Sequence, residues 1–386
     1  QYQLTDAHRL GWTGEYFKQK SELDNQSRLD ATYLSRKGDD EIERKRFGIQ
    51  YEWLAAQPWA DSLNTTLDFQ SQYNRGLTTM LTTGCSGAVN GGVSPCLRTE
   101  DRDFKQEQLK LAVALDKELL NDNIRQQWVY GFSAEKRSVE YSAVDTRYVG
   151  QTSELASTPV IDPDQVPETD VTALSLYARD VINFGERWTL RVGGRFDSLK
   201  YSPELSEQFT DRSQTVGDVD FNSFTWQTNL TYQLAQAHQV WAQAGRGFRA
   251  PTISEMYSPT SLISRTVKET GVVVTDLWSS IANPDLKAER SLNLEAGYRY
   301  QTDNLQLDVS VFKDEYSDMI DTVTRIQNPG VVYETCTRGV CTESQGNQYN
   351  TIDNIGKADV KGFEVAGSWK ITSAFSSRLA YAYSEG

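Results

Sequence analysis

Segments of strict apolar–polar alternation recur along this chain, and the connections between them are alternately short and long. Period-two patterning places successive side chains on opposite faces of a β-strand. Trp188, Leu190, Val192, Gly194 and Phe196 share one face, and Thr189, Arg191, Gly193, Arg195 and Asp197 share the other. The stretches 109–116, 292–300 and 305–311 divide in the same way. About thirteen strands result. They lie near 9–22, 44–55, 62–80, 103–117, 124–140, 171–183, 187–201, 221–235, 239–250, 289–301, 304–322, 357–370 and 375–384. Connections at 56–61, 118–123, 184–186, 236–238, 302–303 and 371–374 are short. Those at 23–43, 81–102, 141–170, 202–220, 251–288 and 323–356 are long. A sandwich or propeller has no reason to alternate this way. A barrel crossing an outer membrane does, with tight turns on one side and long loops on the other. The small and charged face then lines a lumen. We therefore expect an all-β, transmembrane antiparallel barrel.

Composition narrows the alternatives. A chain of 386 residues suggests two or three soluble domains by length alone. Mean hydropathy is −0.57, and no run of about 18 apolar residues occurs, which excludes a helical membrane protein. Barrel strands dilute the apolar signal and stay compatible. The 19 Tyr, 14 Phe and 9 Trp suit interfacial girdles, although a large sandwich or propeller carries as many. A formal charge of −14 argues against nucleic acid as partner and fits long, soluble polar loops. An odd set of strands cannot close as an ordinary single-chain bacterial barrel, and an open sheet leaves unpaired backbone groups in lipid at several kcal/mol each. No signal peptide is visible at Gln1-Tyr2-Gln3-Leu4, and neither that opening nor the close at Tyr383-Ser384-Glu385-Gly386 looks natural for a barrel. The expectation is an internal portion of a longer polypeptide.

The four cysteines form two close pairs, Cys85/Cys96 and Cys336/Cys341, in Gly-, Ser-, Pro- and Thr-rich segments. Two loop-local disulfides, Cys85–Cys96 and Cys336–Cys341, in an oxidising compartment are the simplest reading. A zinc site is the alternative, but no His lies near either pair.

Two short runs stand at the ends of strand-like segments: Phe248-Arg249-Ala250-Pro251 and Asn283-Pro284-Asp285-Leu286. Read as residues alone, Pro251 ends a strand because it has no N–H for the ladder, and Asn283-Pro284 starts a turn. Together they resemble the "FRAP…NPNL" signature of TonB-dependent outer-membrane receptors, most closely the haem and haemoprotein branch. Asn354-Ile355-Gly356-Lys357-Ala358-Asp359-Val360-Lys361-Gly362-Phe363-Glu364-Val365 resembles the "NIGKAxxxGxE" strand entry of that family, and Leu379-Ala380-Tyr381-Ala382-Tyr383-Ser384 resembles the strand after it. The likeness is clearest over 239–386; residues 1–238 fit by strand rhythm. It implies about twenty-two strands around an N-terminal plug. Residues 1–386 would then be one partial barrel, with the plug, the TonB-contacting peptide and several C-terminal strands outside it. The implied function is TonB-dependent active transport of an iron-containing ligand across the Gram-negative outer membrane. No bond is changed, so the chain is not an enzyme. Implied partners are the TonB-ExbB-ExbD complex, outer-membrane lipid and lipopolysaccharide, and a haemoprotein or surface lipoprotein.

The ligand is less defined. Haem receptors of this family carry a haem-ligating histidine in the loop between the two motifs, but residues 252–282 contain none. The only histidines, His8 and His238, fall at short connections and read as solvated periplasmic turn residues. Tyr257 sits in the right loop and tyrosine can be an axial ligand; Met256 is a softer candidate, and both also suit loop packing. Arg249, Met256, Tyr257 and Trp278 are the candidate ligand contacts. No protein-held metal or cofactor is expected, haem or a ferric chelate being cargo. Haem leads, ahead of a ferric siderophore and cobalamin. A Ser-His hydrolase needs a histidine at the outer rim, where neither lies. A passive porin or adhesin is the other rival, and porins lack the paired motifs.

Overall fold

In a computed structural model, the described residues are 2–386 except 31, 55, 84–94, 151, 153, 157, 162–165, 205–215, 258–260 and 338–339. Fourteen strands form one antiparallel meander: β1 (Tyr2–Thr5), β2 (His8–Asp24), β3 (Tyr33–Leu54), β4 (Ser62–Thr82), β5 (Cys96–Asn121), β6 (Ile124–Val149), β8 (Glu168–Phe184), β9 (Trp188–Glu204), β10 (Val219–Ala235), β11 (His238–Arg249), β14 (Glu289–Gln301), β15 (Leu305–Ser317), β18 (Lys357–Lys370) and β19 (Ser376–Glu385). The two-residue β7 (Val160–Ile161) adds to β6 off this path. Twelve of the thirteen expected strands are each present as one strand, the expected strand 304–322 ends at Ser317 and its last residues leave the large sheet, and every expected short connection joins an antiparallel pair. The long connections therefore all lie at one end, called the outer end below.

Register fixes which residues share a face. Val311 pairs Phe363, which pairs Tyr383; Leu176 pairs Phe196, which pairs Phe224. These form an outward apolar surface: Leu174, Leu176, Phe224 and Val311 are all more than half exposed. An outward apolar band of transmembrane barrels is about 25 Å tall. The opposite face is hydrophilic.

At the short-turn end the band closes in aromatic residues. His8 stacks near Tyr51 and Trp53, Trp188 lies 4.2 Å from Tyr232 between ring centres, and His238 sits beside Tyr298 and Tyr300. The histidines occupy the short-connection end as expected, but they are not merely solvated. Each is half-buried, with Nδ1 hydrogen-bonded to a tyrosine hydroxyl: His8 to Tyr51 at 2.8 Å and His238 to Tyr298 at 2.6 Å. A girdle of amphipathic rings is what a membrane interface favours.

Two expectations need correction. Strands β3, β5 and β6 run well past the apolar band, into stretches assigned above to loops. Charge, not hydrophobicity, carries the alternation there: Arg75 Nε donates to Asp101 at 2.8 Å and Arg98 Nε to Asp145 at 2.9 Å. Nor are the connections 251–288 and 323–356 simple loops. They contain β12 (Ser261–Val267), β13 (Val273–Ile281), β16 (Ile320–Thr337) and β17 (Val340–Asn354), which close into a small barrel in the order β12-β13-β17-β16. Strands β13 and β17 pair in parallel, Ser280 with Asn350 and Ile281 with Thr351. Tyr333, Leu277 and Asn347 are buried within this lobe. Cys336–Cys341 is a disulfide at the β16–β17 tip, as expected. Cys85 lies outside the described residues, and with it the expected Cys85–Cys96 pair.

Candidate ligand-contacting site at the outer rim

The two signature runs meet where the lobe joins the large sheet. β11 ends at Arg249, and Pro251, which has no N–H to offer a ladder, is fully buried just beyond it. A one-turn helix follows, α1 (Ile253–Tyr257). A reciprocal cap starts it: the Thr252 N–H donates to Glu255 Oε2 at 2.7 Å, and the Glu255 N–H donates to Thr252 Oγ1 at 3.2 Å. Arg249 clamps this turn to β14, with Nη1 donating to Glu255 at 3.0 Å and Nε to Glu289 at 2.6 Å. Glu289 also accepts the Ile320 N–H at 2.8 Å, so one carboxylate ties β14, β11 and the start of the lobe together. Burial pushes the Glu255 carboxyl up, but the bonds from Arg249 and Thr252 outweigh it and hold the group below the usual glutamate range.

Met256 and Tyr257 point into a closed apolar cluster with Val171, Tyr201, Phe221 and Leu286. Neither has any exposed surface. The Tyr257 hydroxyl donates to the Gly217 carbonyl at 2.9 Å, and burial holds its pKa far above the ordinary phenol value. This arrangement gives both residues packing partners and presents neither donor atom to a bound molecule. The second motif is equally engaged. Asn283 Nδ2 donates to the Ile352 carbonyl at 2.9 Å, and its Oδ1 accepts the Asp285 N–H at 3.2 Å. Leu286 completes the apolar cluster. Asn354, which opens the third motif, accepts the Lys287 N–H and donates to the Lys287 and Asp318 carbonyls. Sequence inspection had no local signal for these long-range bonds.

Trp278 lies in the lobe, half-buried, its carbonyl accepting Asn347 Nδ2 at 2.6 Å and its N–H donating to Gln327 Oε1 at 3.0 Å. It is therefore separate from the Arg249 clamp, not joined with it in one pocket. Below the rim, a hollow of about 1070 Å³ on the inner face is lined by Arg179, Arg191, Gln227, Gln243 and Glu295 together with Trp226, Leu294 and Phe312. Arg191 donates to Asn229 and Gln243 to Glu295, whereas Arg179 has no bonding partner among the described residues. In the sequence, only the alternation of small and charged residues on β9 and β14 pointed to this surface.

An outward apolar band, an aromatic girdle at the short-turn end and long connections at the other define an outer-membrane β-barrel. The chain belongs to the "TonB dependent receptor-like, beta-barrel" family, whose profile matches residues 1–386. Among curated relatives, it is 24% identical to the hemin receptor of Yersinia enterocolitica, covering 59% of this chain and 31% of that protein. It is 31% identical to the vitamin B12 transporter BtuB of Vibrio vulnificus over 25% of this chain and 13% of that protein. The fold matches the Serratia marcescens hemophore receptor HasR with a TM-score of 0.52 at 12% identity, covering 98% of this chain and 63% of that one. It matches the ferric citrate transporter FecA with a TM-score of 0.54 at 14% identity, covering 100% and 50%. The chain thus spans less than two thirds of each of these relatives.

Proposed function

We propose that this chain is the larger part of the barrel wall of a TonB-dependent transporter that takes up an iron-containing ligand, with haem or haem from haemoproteins the leading cargo. The observation that carries the reading is an inner wall that bears Arg179, Arg191, Gln227, Gln243 and Glu295 around a hollow, with a folded lobe inserted at the outer end. A porin needs no such lobe clamped to its rim by three sequence motifs. The two edge strands, β1 and β19, do not pair with each other among the described residues, which suits closure by further strands. On this reading the TonB-ExbB-ExbD complex, contacting an N-terminal plug, supplies the energy that the outer membrane lacks. Haem is favoured by the wording of the motifs and by the hemin-receptor relative; a ferric siderophore or cobalamin is the alternative cargo. With Met256 and Tyr257 enclosed, Arg249 organises the rim, and Trp278 and the lobe around it are the surface offered to cargo or its carrier protein. The test is a visible spectrum of the full-length receptor after haem addition. A Soret band that survives gel filtration supports haem; its absence, with retention of a ferric chelate instead, moves the reading to a siderophore. Growth on the cargo that is unaffected by loss of TonB rejects active transport.

A further inference from the structure

Several arginines of the inner wall are matched to acids. Arg46 lies 2.8 Å from Asp68, Arg195 lies 2.8 Å from Asp197, and Arg299 is paired with Asp308. Arg137 on β6 is not matched. It makes no hydrogen bond or ion pair among the described residues, and its Nε is enclosed without a partner. Glu135, two residues away on the same face, instead faces Lys110, with 3.9 Å between carboxylate and ammonium. Arg179 is also unpartnered, but it is exposed and water solvates it. An enclosed cation without a counter-charge costs free energy.

Register sets what stands beside Arg137. Gln108, Arg137, Val171 and Tyr201 lie opposite one another on β5, β6, β8 and β9. Val171 is on the face away from the outward Leu174 and Leu176, and with Tyr201 it packs under α1. This row stands above the apolar band, whose last outward residue on β9 is Phe196. Arg137 and Tyr201 are two strands apart, about 10 Å between backbones, with only the short Val171 between them. Tyr201 is 5% exposed, its ring held edge-on to Phe221 with 5.9 Å between ring centres. Its hydroxyl has no bonding partner among the described residues and is not enclosed. Burial raises the Tyr201 pKa and the Arg137 charge opposes that rise, so the guanidinium lies within electrostatic reach of the phenol.

We propose that Arg137 and Tyr201 form a carboxylate-binding site on the inner side of the rim, which holds a free carboxylate of the cargo as it enters the lumen. The site rests on the transport reading above and narrows it to cargo that bears such a group. Haem does, through its propionates, whereas the periphery of cobalamin presents amides. A guanidinium takes a carboxylate by charge-assisted hydrogen bonds, and a phenol hydroxyl donates one more. A single cation suits a singly charged carboxylate; a phosphate dianion calls for more positive charge than this row supplies.

The test uses the full-length receptor in detergent, with affinities for haem, haem dimethyl ester and ferric citrate read by spectral titration. The wild type should bind haem at least about tenfold more tightly than the ester, which lacks the charges. Arg137→Gln should weaken haem about tenfold and leave the ester unchanged, and Arg137→Lys should recover part of the loss. Tyr201→Phe keeps the packed ring, covers the case in which Arg137→Gln fails to fold, and should weaken haem about fivefold with the ester again unchanged. Equal wild-type affinity for haem and its ester, or equal loss of both in the variants, overturns the site while leaving haem as cargo. If ferric citrate binds and neither haem form does, haem fails as cargo, and the site stands only if Arg137→Gln weakens ferric citrate by the same factor. Binding of none of the three probes overturns the site.

Discussion

The role of Tyr257 separates a packing reading of the rim from a ligand reading, and two substitutions decide between them. In the packing reading, Tyr257→Phe removes only the hydroxyl that donates to the Gly217 carbonyl. A neutral buried hydrogen bond contributes about 1 kcal/mol, so local opening of 251–257 should rise about fivefold. Tyr257→Ala removes the whole ring from the cluster of Val171, Tyr201, Phe221, Met256 and Leu286. A buried aromatic truncated to alanine costs about 3 to 5 kcal/mol, so opening should rise between roughly a hundredfold and a few thousandfold. Hydrogen exchange of the α1 amides reads both values, and growth on haem as sole iron source reads function. With the ring packed and its hydroxyl on Gly217, Tyr257→Phe should keep near-normal uptake and a normal Soret spectrum. Loss of the haem spectrum in Tyr257→Phe, with α1 protection unchanged, would refute it and restore the phenolate as an axial ligand.

Three further outcomes follow from particular contacts. Because the Glu255 pKa is held below its ordinary value in the folded protein, its contribution is fully present above the unfolded pKa of about 4.3 and is lost as pH falls through the depressed value; α1 exchange protection should therefore drop only at acid pH, and Glu255→Gln should flatten that dependence. Non-reducing peptide mapping should yield Cys336 joined to Cys341, and the double serine variant should speed proteolysis at the β16–β17 tip while cleavage within the large sheet is unchanged. A Cβ at position 131 would stand 2.0 Å from the Val113 carbonyl oxygen and 2.9 Å from the Tyr177 hydroxyl, so Gly131→Ala should force a backbone shift costing about 1–3 kcal/mol and lower the yield of folded barrel, whereas Gly14→Ala, with open space around it, should not.

The large sheet was legible because a lipid-facing strand has to alternate, and each strand announces its outward face through residues such as Leu174, Leu176, Phe196 and Phe224. Strand ends were less legible. Above the membrane, the alternation of β5 and β6 passes to charges that make sense only against a neighbouring strand, as Arg98 does against Asp145. The lobe was not visible at all. Its strands are short, two of them pair in parallel across about seventy residues of sequence, and its polar core residue Asn347 is satisfied by Arg265 and Trp278 from the other loop. The expected strand 304–322 divides at Asp318, whose φ of 56° turns the chain out of the large sheet and into the lobe. Met256 and Tyr257 drew attention as candidate ligands by residue type, and only the fold shows them enclosed.

The placement of the motifs also explains why the sequence names a family more readily than a cargo. Arg249 joins α1 to β14, Asn283 joins the second motif to β17, and Asn354 joins β17 to the segment that enters β14. Each is a fastening between lobe and barrel, and each depends on geometry that any lobe inserted at this point must reproduce. A side chain that hydrogen-bonds backbone carbonyls on two sides tolerates little change in type, whatever the lobe above it recognises. The surface between the fastenings has no such constraint. Leu277 and Tyr333 need only fill a small core, and exposed positions such as Val272, Val273 and Ile326 need fill nothing. The side chains between the fastenings can therefore vary while the rim stays fixed, and under the proposed function cargo contacts fall to the residues around Trp278 rather than to the three motifs.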